Sequence, residues 1–417
     1  MKPKLKSRIL SFAKPFFIRI KTVVEQLRPV LVEYSGNKAS NRKRALLSYL
    51  PRSVNMRDNH RFMKWHSNWW ECRETARILC GLGYNVDAVA VDNTKFVPVR
   101  KYDLVVDIGR NLQRFAPHLP KTAKKFLFLP GAYPIGSCRA ELERVLDFEK
   151  RTNHFADLRL GVIPAYAIEK SLFTADAIMS IGDEWVFSTY PERFRRKFTK
   201  VQISSSYIGT VHKQYPPGRP LQQTFLFYNT RNLVWKGLDL ILEAFSRHSD
   251  WRLEVCGGAE KETAFMTACK PWLDKANVRF HGFVTPSSEK FQSVLDLVDA
   301  FITPSCTDSN NTSSLTCMST GLYPIISRQT GVDLPDEYGI RLRDASRQIY
   351  GQFTESGTSI TESELTAEAV EEAVLRFLAK PPADIAAEAA KCREHVLEHH
   401  SREAYRDSVK KFLETHL

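Results

Sequence analysis

Short apolar runs alternate with stretches of helical periodicity along most of the chain, and the alternation occurs in two successive series. Between residues 44 and 210 the runs are 45–50, 85–91, 102–108, 125–129, 174–180 and 201–205. Helical patterns at 69–82 and 139–151 lie between them, and Gly83 stands where a helix C-cap is expected. Apolar runs this short and continuous fit strands buried on both faces. Strand and helix in alternation imply a parallel sheet with helices on both sides. A second series gives strands at 224–228, 251–255, 278–284, 300–303 and 325–326, with helices at 238–247, 289–299 and one beginning near Ser313. At 417 residues there is room for two such domains. The expected division is a basic tail over 1–43, a first domain over 44–215, a second over 216–385 and a helical segment over 386–417. The stretch 355–390 reads as acidic helices broken at Pro381-Pro382.

The net charge of +13 is unevenly placed. Residues 1–50 hold 12 basic and 2 acidic residues, residues 51–220 hold 27 and 17, and residues 221–417 hold 21 and 28. A basic first half beside an acidic second half is not a uniform polyanion-binding surface, and no nucleic-acid recognition module accompanies the charge. Leu5, Ile9, Phe12, Phe16, Ile20, Val23, Leu27 and Leu31 recur at three- or four-residue steps, with Lys and Arg largely off that stripe. This predicts an amphipathic helical tail kinked at Pro15 and Pro29. Residues 1–35 are then expected either to lie in an anionic membrane surface or to pack on the protein's own domain. An organellar transit peptide is a third reading, since no acidic residue precedes Glu25. No apolar stretch reaches the length of a membrane-spanning helix. The eight cysteines form no C-x-x-C pair and no metal or disulfide spacing, which suits a reducing cytoplasm. His395 and His399 formally match an inverted zinc-protease pattern, but nothing around them supplies a third ligand.

Ligands of doubly wound domains bind beyond the carboxyl ends of the strands, so the turns there carry the candidates. In the first domain these are His66, Glu71 and Tyr133 on the side of an acceptor, with Gly182-Asp-Glu184 following a later strand. In the second domain Arg231 and Lys236 share the turn after the first strand, placed to divide the charge of a diphosphate. A loop of small residues from Pro304 runs into the helix near Ser313 and Ser314, whose free N–H groups favour an anion. Thr330 to Asp333 fall on the rim of the same edge.

Taken strand by strand, this order resembles the retaining GT-B glycosyltransferases of family 4. Arg231 and Lys236-Gly237 match that family's Gly-Arg-Leu-x-x-x-Lys-Gly segment, with Thr230 in place of the glycine. Gly257-Gly258 matches its glycine turn, and Phe280 to Val284 its strand whose end meets the nucleobase. Pro304-Ser305, Met318, Gly321 and Pro324 match the frame of its Glu-x7-Glu signature, in which Asp308 and Thr316 stand where the two glutamates are expected. The resemblance implies two Rossmann-like α/β domains facing a cleft, with the last helix crossing back to the first. It implies Arg231, Lys236, Ser313 and Ser314 on the donor diphosphate, Asp308 and Thr316 on sugar or ribose, and Gly257, Gly282 and Phe283 near the base. It implies a hexosyltransferase-like enzyme (EC 2.4) in which the cations stand in for a metal, so that neither metal nor cofactor is expected beyond a nucleotide-diphosphate sugar. With the basic first half, it suggests a saccharide or lipid-linked acceptor of the cell envelope and a place on the inner face of the cytoplasmic membrane. Two rivals remain: an inactive GT-B scaffold, motivated by Thr316, and a GT-B sugar-nucleotide epimerase.

Overall fold

The computed structural model describes residues 31–36, 42–156, 165–206, 209, 211–343, 347–350, 359–362 and 365–417. The tail expected to be helical lies, through residue 30, outside the described residues. The tail also ends sooner than expected. Leu31–Glu33 is a strand, β1, pairing antiparallel with Tyr84–Ala90, β3.

The first domain is a seven-stranded sheet. Lys43–Tyr49 (β2), Leu104–Asp107 (β4), Lys124–Leu129 (β5), Ala177–Ser180 (β6) and Phe198–Lys200 (β7) complete the order β1-β3-β2-β4-β5-β6-β7, parallel except for β1. Residues 201–205 are not a strand. Val201 N still donates to Ser180 O at 2.9 Å, but Gln202 N turns to Ser408 Oγ at 3.0 Å and Ser205 N to His400 O at 2.9 Å. The second domain is wholly parallel. Thr224–Tyr228 (β8), Arg252–Cys256 (β9), Asn277–Gly282 (β10), Ala300–Thr303 (β11), Tyr323–Ile326 (β12) and Ile340–Arg341 (β13) stand in the order β10-β9-β8-β11-β12-β13. A small antiparallel hairpin pairs Arg347–Tyr350 (β14) with Ser359–Glu362 (β15), so the beginning of the stretch read as acidic helix contains a strand.

Each sheet reverses its direction of growth once. The chain passes from β2 to β3 on one side and then to β4 on the other, and likewise from β8 to β9 and later to β11. The crevices beyond β2/β4 and β8/β11 are the switch points at which such sheets bind ligands. The strands supply most of the core: Leu46, Leu104, Leu127, Phe225, Leu253 and Ile302 have no exposed surface.

Two elements tie the domains together. The helix Pro134–Thr152 belongs in sequence to the first domain, but its Phe148 ring stacks on Phe265 of the second at 5.8 Å. From the same helix Arg144 reaches Asp239 at 2.7 Å, and Arg151 pairs with Asp239 and, at 2.6 Å, with Glu243. The C-terminal segment read as one helix is two, Pro382–His399 and Arg402–His416, divided where Ser401 caps the second through Ala404 N at 3.1 Å. The first packs on the second domain, with Tyr323 donating to Glu388 at 2.6 Å. The second lies on the first domain's sheet, with Phe412 against Phe126, Tyr405 hydrogen-bonded to Thr75 at 2.7 Å and Arg406 paired with Glu74 at 2.7 Å.

Candidate active site

Three strand-end loops of the second domain pack on one another without room for side chains between them. A Cβ on Gly257 would fall 1.9 Å from Asn229 O, and one on Gly237 would fall 2.4 Å from Pro304 O. Both glycines have positive φ, +149° and +76°, which suits glycine. The loop after β8 is further bound to the loop after β11, since Cys306 N donates to Trp235 O at 3.0 Å and Trp235 Nε1 to Thr307 O.

This packing brings Lys236 onto Asp308. The two form a half-buried ion pair, with side-chain exposures of 15% and 21%. The same Asp308 oxygen accepts from Ser305 Oγ at 3.1 Å and from Asn311 Nδ2 at 2.8 Å. Asn311 in turn caps the helix Thr312–Ser319 by accepting from Ser314 N at 2.8 Å. The helix therefore starts one residue before Ser313, and the Ser314 N–H is used within the protein. Thr312 and Ser313 remain at the open N-terminus, and the Ser314 hydroxyl is buried without a partner among the described residues. Arg231 is exposed on the neighbouring turn and makes no hydrogen bond or ion pair among the described residues.

Thr316 is buried, and its hydroxyl donates to Thr312 O at 2.7 Å, one turn back in its own helix. Its proton is committed there, leaving lone pairs to accept. A cavity of about 200 Å³ opens beside it. Ser313, Thr316, Thr230 and Phe283 line it from the second domain, and His66, Ser67 and Asn68 from the first. Gly282, with φ +65°, turns the chain at the end of β10 and accepts from Gly257 N at 2.8 Å, which leaves Phe283 at the rim, 54% exposed.

His66 precedes the helix Ser67–Gly81, whose N-terminus has no side-chain cap and no acidic residue in its first turn. Surrounding protein disfavours the imidazolium and lowers the His66 pKa. The helix begins two residues earlier than the sequence pattern suggests, which puts its first turn, with Thr312 and Ser313, on the lining of the cavity.

Two first-domain candidates do not reach this cavity. Glu71 lies one turn further along the helix on its inward face, 2% exposed, accepting from Ser204 N at 2.8 Å and Ser204 Oγ at 3.0 Å. Burial raises its pKa to about 7. Tyr133 is buried against Tyr190, ring to ring at 5.4 Å, and burial and the nearby Glu169 push its phenol up to about 12. Both are core groups, not acceptor contacts. Gly257 shapes the loops without lining the cavity. The rim segment after β12 meets the first domain, with Asp183 N donating to Gly331 O at 3.2 Å and Lys200 paired with Asp333. His395 bonds Asp333 O at 2.8 Å, and among the described residues no group of three His, Cys, Asp or Glu side chains is placed to hold a metal ion. The residues overlooked in the sequence were Asn311, legible as an Asn three positions before Ser314, and Asn229, which follows β8 with a buried amide.

Residues 222–349 match the family Glycosyl transferases group 1. The chain is similar in structure to sucrose-phosphate synthase from Thermosynechococcus elongatus, with 12% identity and a TM-score of 0.58, covering 90% of this chain and 99% of that one. A glycosyltransferase from Rickettsia africae gives 13%, 0.52, 90% and 98%. HepE of Anabaena, in complex with UDP and glucose, gives 10%, 0.50, 90% and 100%. No curated protein matches the chain. The fold is GT-B, two Rossmann-like domains across a cleft. More particularly, the match to the group 1 glycosyl transferase family falls on the second domain.

Proposed function

We propose that the protein is a retaining glycosyltransferase that takes a sugar from a nucleotide-diphosphate donor held by its second domain. The observation that carries this reading is that Lys236, on the loop after β8 that also holds Arg231, is tied through Asp308 and Asn311 to the N-terminus of the helix Thr312–Ser319. Positive groups fixed at that edge stabilise the charge that grows on a departing diphosphate, and fixed electrostatics of this kind is commonly the largest catalytic contribution. Asp308, held by three donors, is fixed beside the site where the transferred sugar would lie. In a front-face reaction the leaving diphosphate takes the acceptor's proton, so no protein nucleophile is required. The two cations supply the charge that a metal would otherwise bring, and no metal enters this reading.

The acceptor docks on the first domain beside His66, and is a saccharide or lipid-linked carrier of the cell envelope. That part of the reading is supported by the basic first half of the chain. Among the described residues no helix is long and apolar enough to cross a membrane, and peripheral attachment at an anionic surface falls to the basic tail. The scaffold alternative has one observation in its favour: the Thr316 hydroxyl already donates its hydrogen bond to Thr312 O.

Arg231→Ala tests the donor site. Arg231 is exposed and unpaired among the described residues, so its loss leaves Tm unchanged while UDP affinity falls at least tenfold, about 1.4 kcal/mol. Unaltered UDP affinity would show that the turn after β8 is not the diphosphate site.

A further inference from the structure

A second cavity, of about 350 Å³, opens at the opposite end of the second domain's sheet from the loops that carry Lys236 and Asp308. Asp299 on its wall immediately precedes β11, and Leu221 lies just before β8, so the cavity sits at the amino ends of those strands. Its size falls within the range of small-molecule clefts. One wall is the segment that joins the two domains. Pro216, Pro217 and Pro220 present ring carbons there, carry no N–H and fix φ, so this wall is apolar and preformed. Tyr215 anchors the segment, donating to Asp299 O at 2.8 Å and accepting from Tyr323 N at 2.9 Å. The facing wall is the start of the helix Pro382–His399, where Ala383 and Ala386 leave the space open.

The charge in this apolar setting is unbalanced. Lys213 lines the cavity and is only 9% exposed. Its ammonium has three protons to donate, and one hydrogen bond among the described residues, to Leu295 O at 3.1 Å, with the Tyr215 ring centre 5.2 Å away. Asp299 and Asp296 act on it from beyond ion-pair distance, and burial lowers its pKa, as expected of a cation held without an adjacent anion. Asp299, the one acid on the lining among the described residues, is itself 5% exposed and already accepts from Thr224 N at 3.2 Å. Arg219 is the second cation on the lining, so two positive groups face one carboxylate. The helix Pro382–His399 adds an N-terminus without a side-chain cap, whose free N–H groups favour an anion. Asp384 in that turn is exposed and does not line the cavity.

We propose that this cavity binds a small amphipathic carboxylate of the medium-chain fatty acid class, its head paired with Lys213 and its hydrocarbon chain lying between the proline wall and the helix Pro382–His399. A singly charged head balances the one net positive charge of the lining, and the ammonium protons that Leu295 O leaves over are its donors. A hydrocarbon body suits walls of proline and alanine, which offer polar groups few partners. The bound ligand bridges the interdomain segment and the C-terminal helix. The site shares no residue with the edge formed by Arg231, Lys236 and Asp308, so it stands independently of the donor reading.

Calorimetric titration of the full chain with octanoate, octanol and acetate, in wild type, Lys213→Met and Ala386→Phe, tests it. Wild type should bind octanoate about 10- to 100-fold more tightly than octanol, the range of one hydrogen bond to a charged group, and should bind acetate more weakly than octanoate. Lys213→Met keeps the apolar stem and removes the charge, so octanoate affinity should fall to that of octanol while octanol binds as before. Ala386→Phe fills the cavity from the helix wall with Lys213 left in place, and should abolish binding of both, which decides the matter even where Lys213→Met loses its cooperative thermal transition. Octanoate bound no more tightly than octanol by wild type, octanoate affinity unchanged in a folded Lys213→Met, or octanoate binding that survives Ala386→Phe would overturn the assignment.

Discussion

Replacing Asp308 by Asn is expected to tighten nucleotide binding while slowing transfer. In the ligand-free protein Lys236 is neutralised by Asp308, so an arriving diphosphate meets an ion pair and not a free cation. A unit charge about 7 Å from a phosphate, at an effective dielectric between roughly 20 and 80, contributes about 0.6–2.4 kcal/mol. Removing the anion at Asp308 therefore strengthens UDP binding by about 1–2 kcal/mol, roughly 5- to 30-fold. The substitution is mild for the fold. Asn keeps an oxygen to accept from Ser305 and Asn311, and Lys236 retains 15% exposure, so the stability loss stays within about 1 kcal/mol. Calorimetric titration of UDP at low and at 0.5 M salt reads the effect, and the gain should shrink at high salt because it is Coulombic. Turnover with the matching nucleotide sugar should fall. Equal or weaker UDP binding in a variant with unchanged Tm would refute the placement of Lys236 on the diphosphate.

Three other outcomes follow from named contacts. Asp239 has no exposed surface and is shared by Arg144, itself only 4% exposed, and Arg151, so Asp239→Asn leaves Arg144 with Asp147 as its one ion-pair partner among the described residues; urea unfolding should show a loss of up to about 3 kcal/mol. Glu71 has a folded pKa of about 7 against an unfolded value near 4.5, so the folded state binds the extra proton between those limits. Its contribution favours folding at acid pH and is lost as pH rises through 7, by up to about 3 kcal/mol; Glu71→Gln should remove that slope, measured as the difference in unfolding free energy from wild type at pH 5 and pH 8. Removal of residues 1–30, which spares β1, should release the protein from vesicles containing phosphatidylserine, and undiminished co-sedimentation would place membrane attachment elsewhere.

Most parallel strands were legible as short apolar runs, and β8 and β11, buried along nearly their whole length, fall where the runs predict; β7 and β13, only three and two residues long, do not. Weakly patterned elements were not. β1 is three residues at a sheet edge, and the hairpin of β14 and β15 carries no apolar signature. The break between the last two helices depends on Ser401 as a cap and on which domain each helix meets, neither of which periodicity reports. At the site, residue types and their order along the strands pointed to Arg231, Lys236, Asp308 and Thr316. Sequence spacing did not show that Lys236 and Asp308 neutralise each other, nor that Thr316 bonds its own helix. Glu71 was misplaced because its environment is made by Ser204 and by a helix more than 330 positions away, through Tyr405.

The central claim is that a sugar leaves a nucleotide-diphosphate donor in this cleft with its anomeric configuration kept. Proton NMR of the purified protein with a panel of nucleotide sugars, using water or added saccharide as acceptor, follows it directly. The account predicts release of the nucleoside diphosphate together with a product whose first-observed anomer is that of the donor, and loss of that signal in Arg231→Ala. A donor that binds but stays intact, or that is converted reversibly to its epimer, would contradict it.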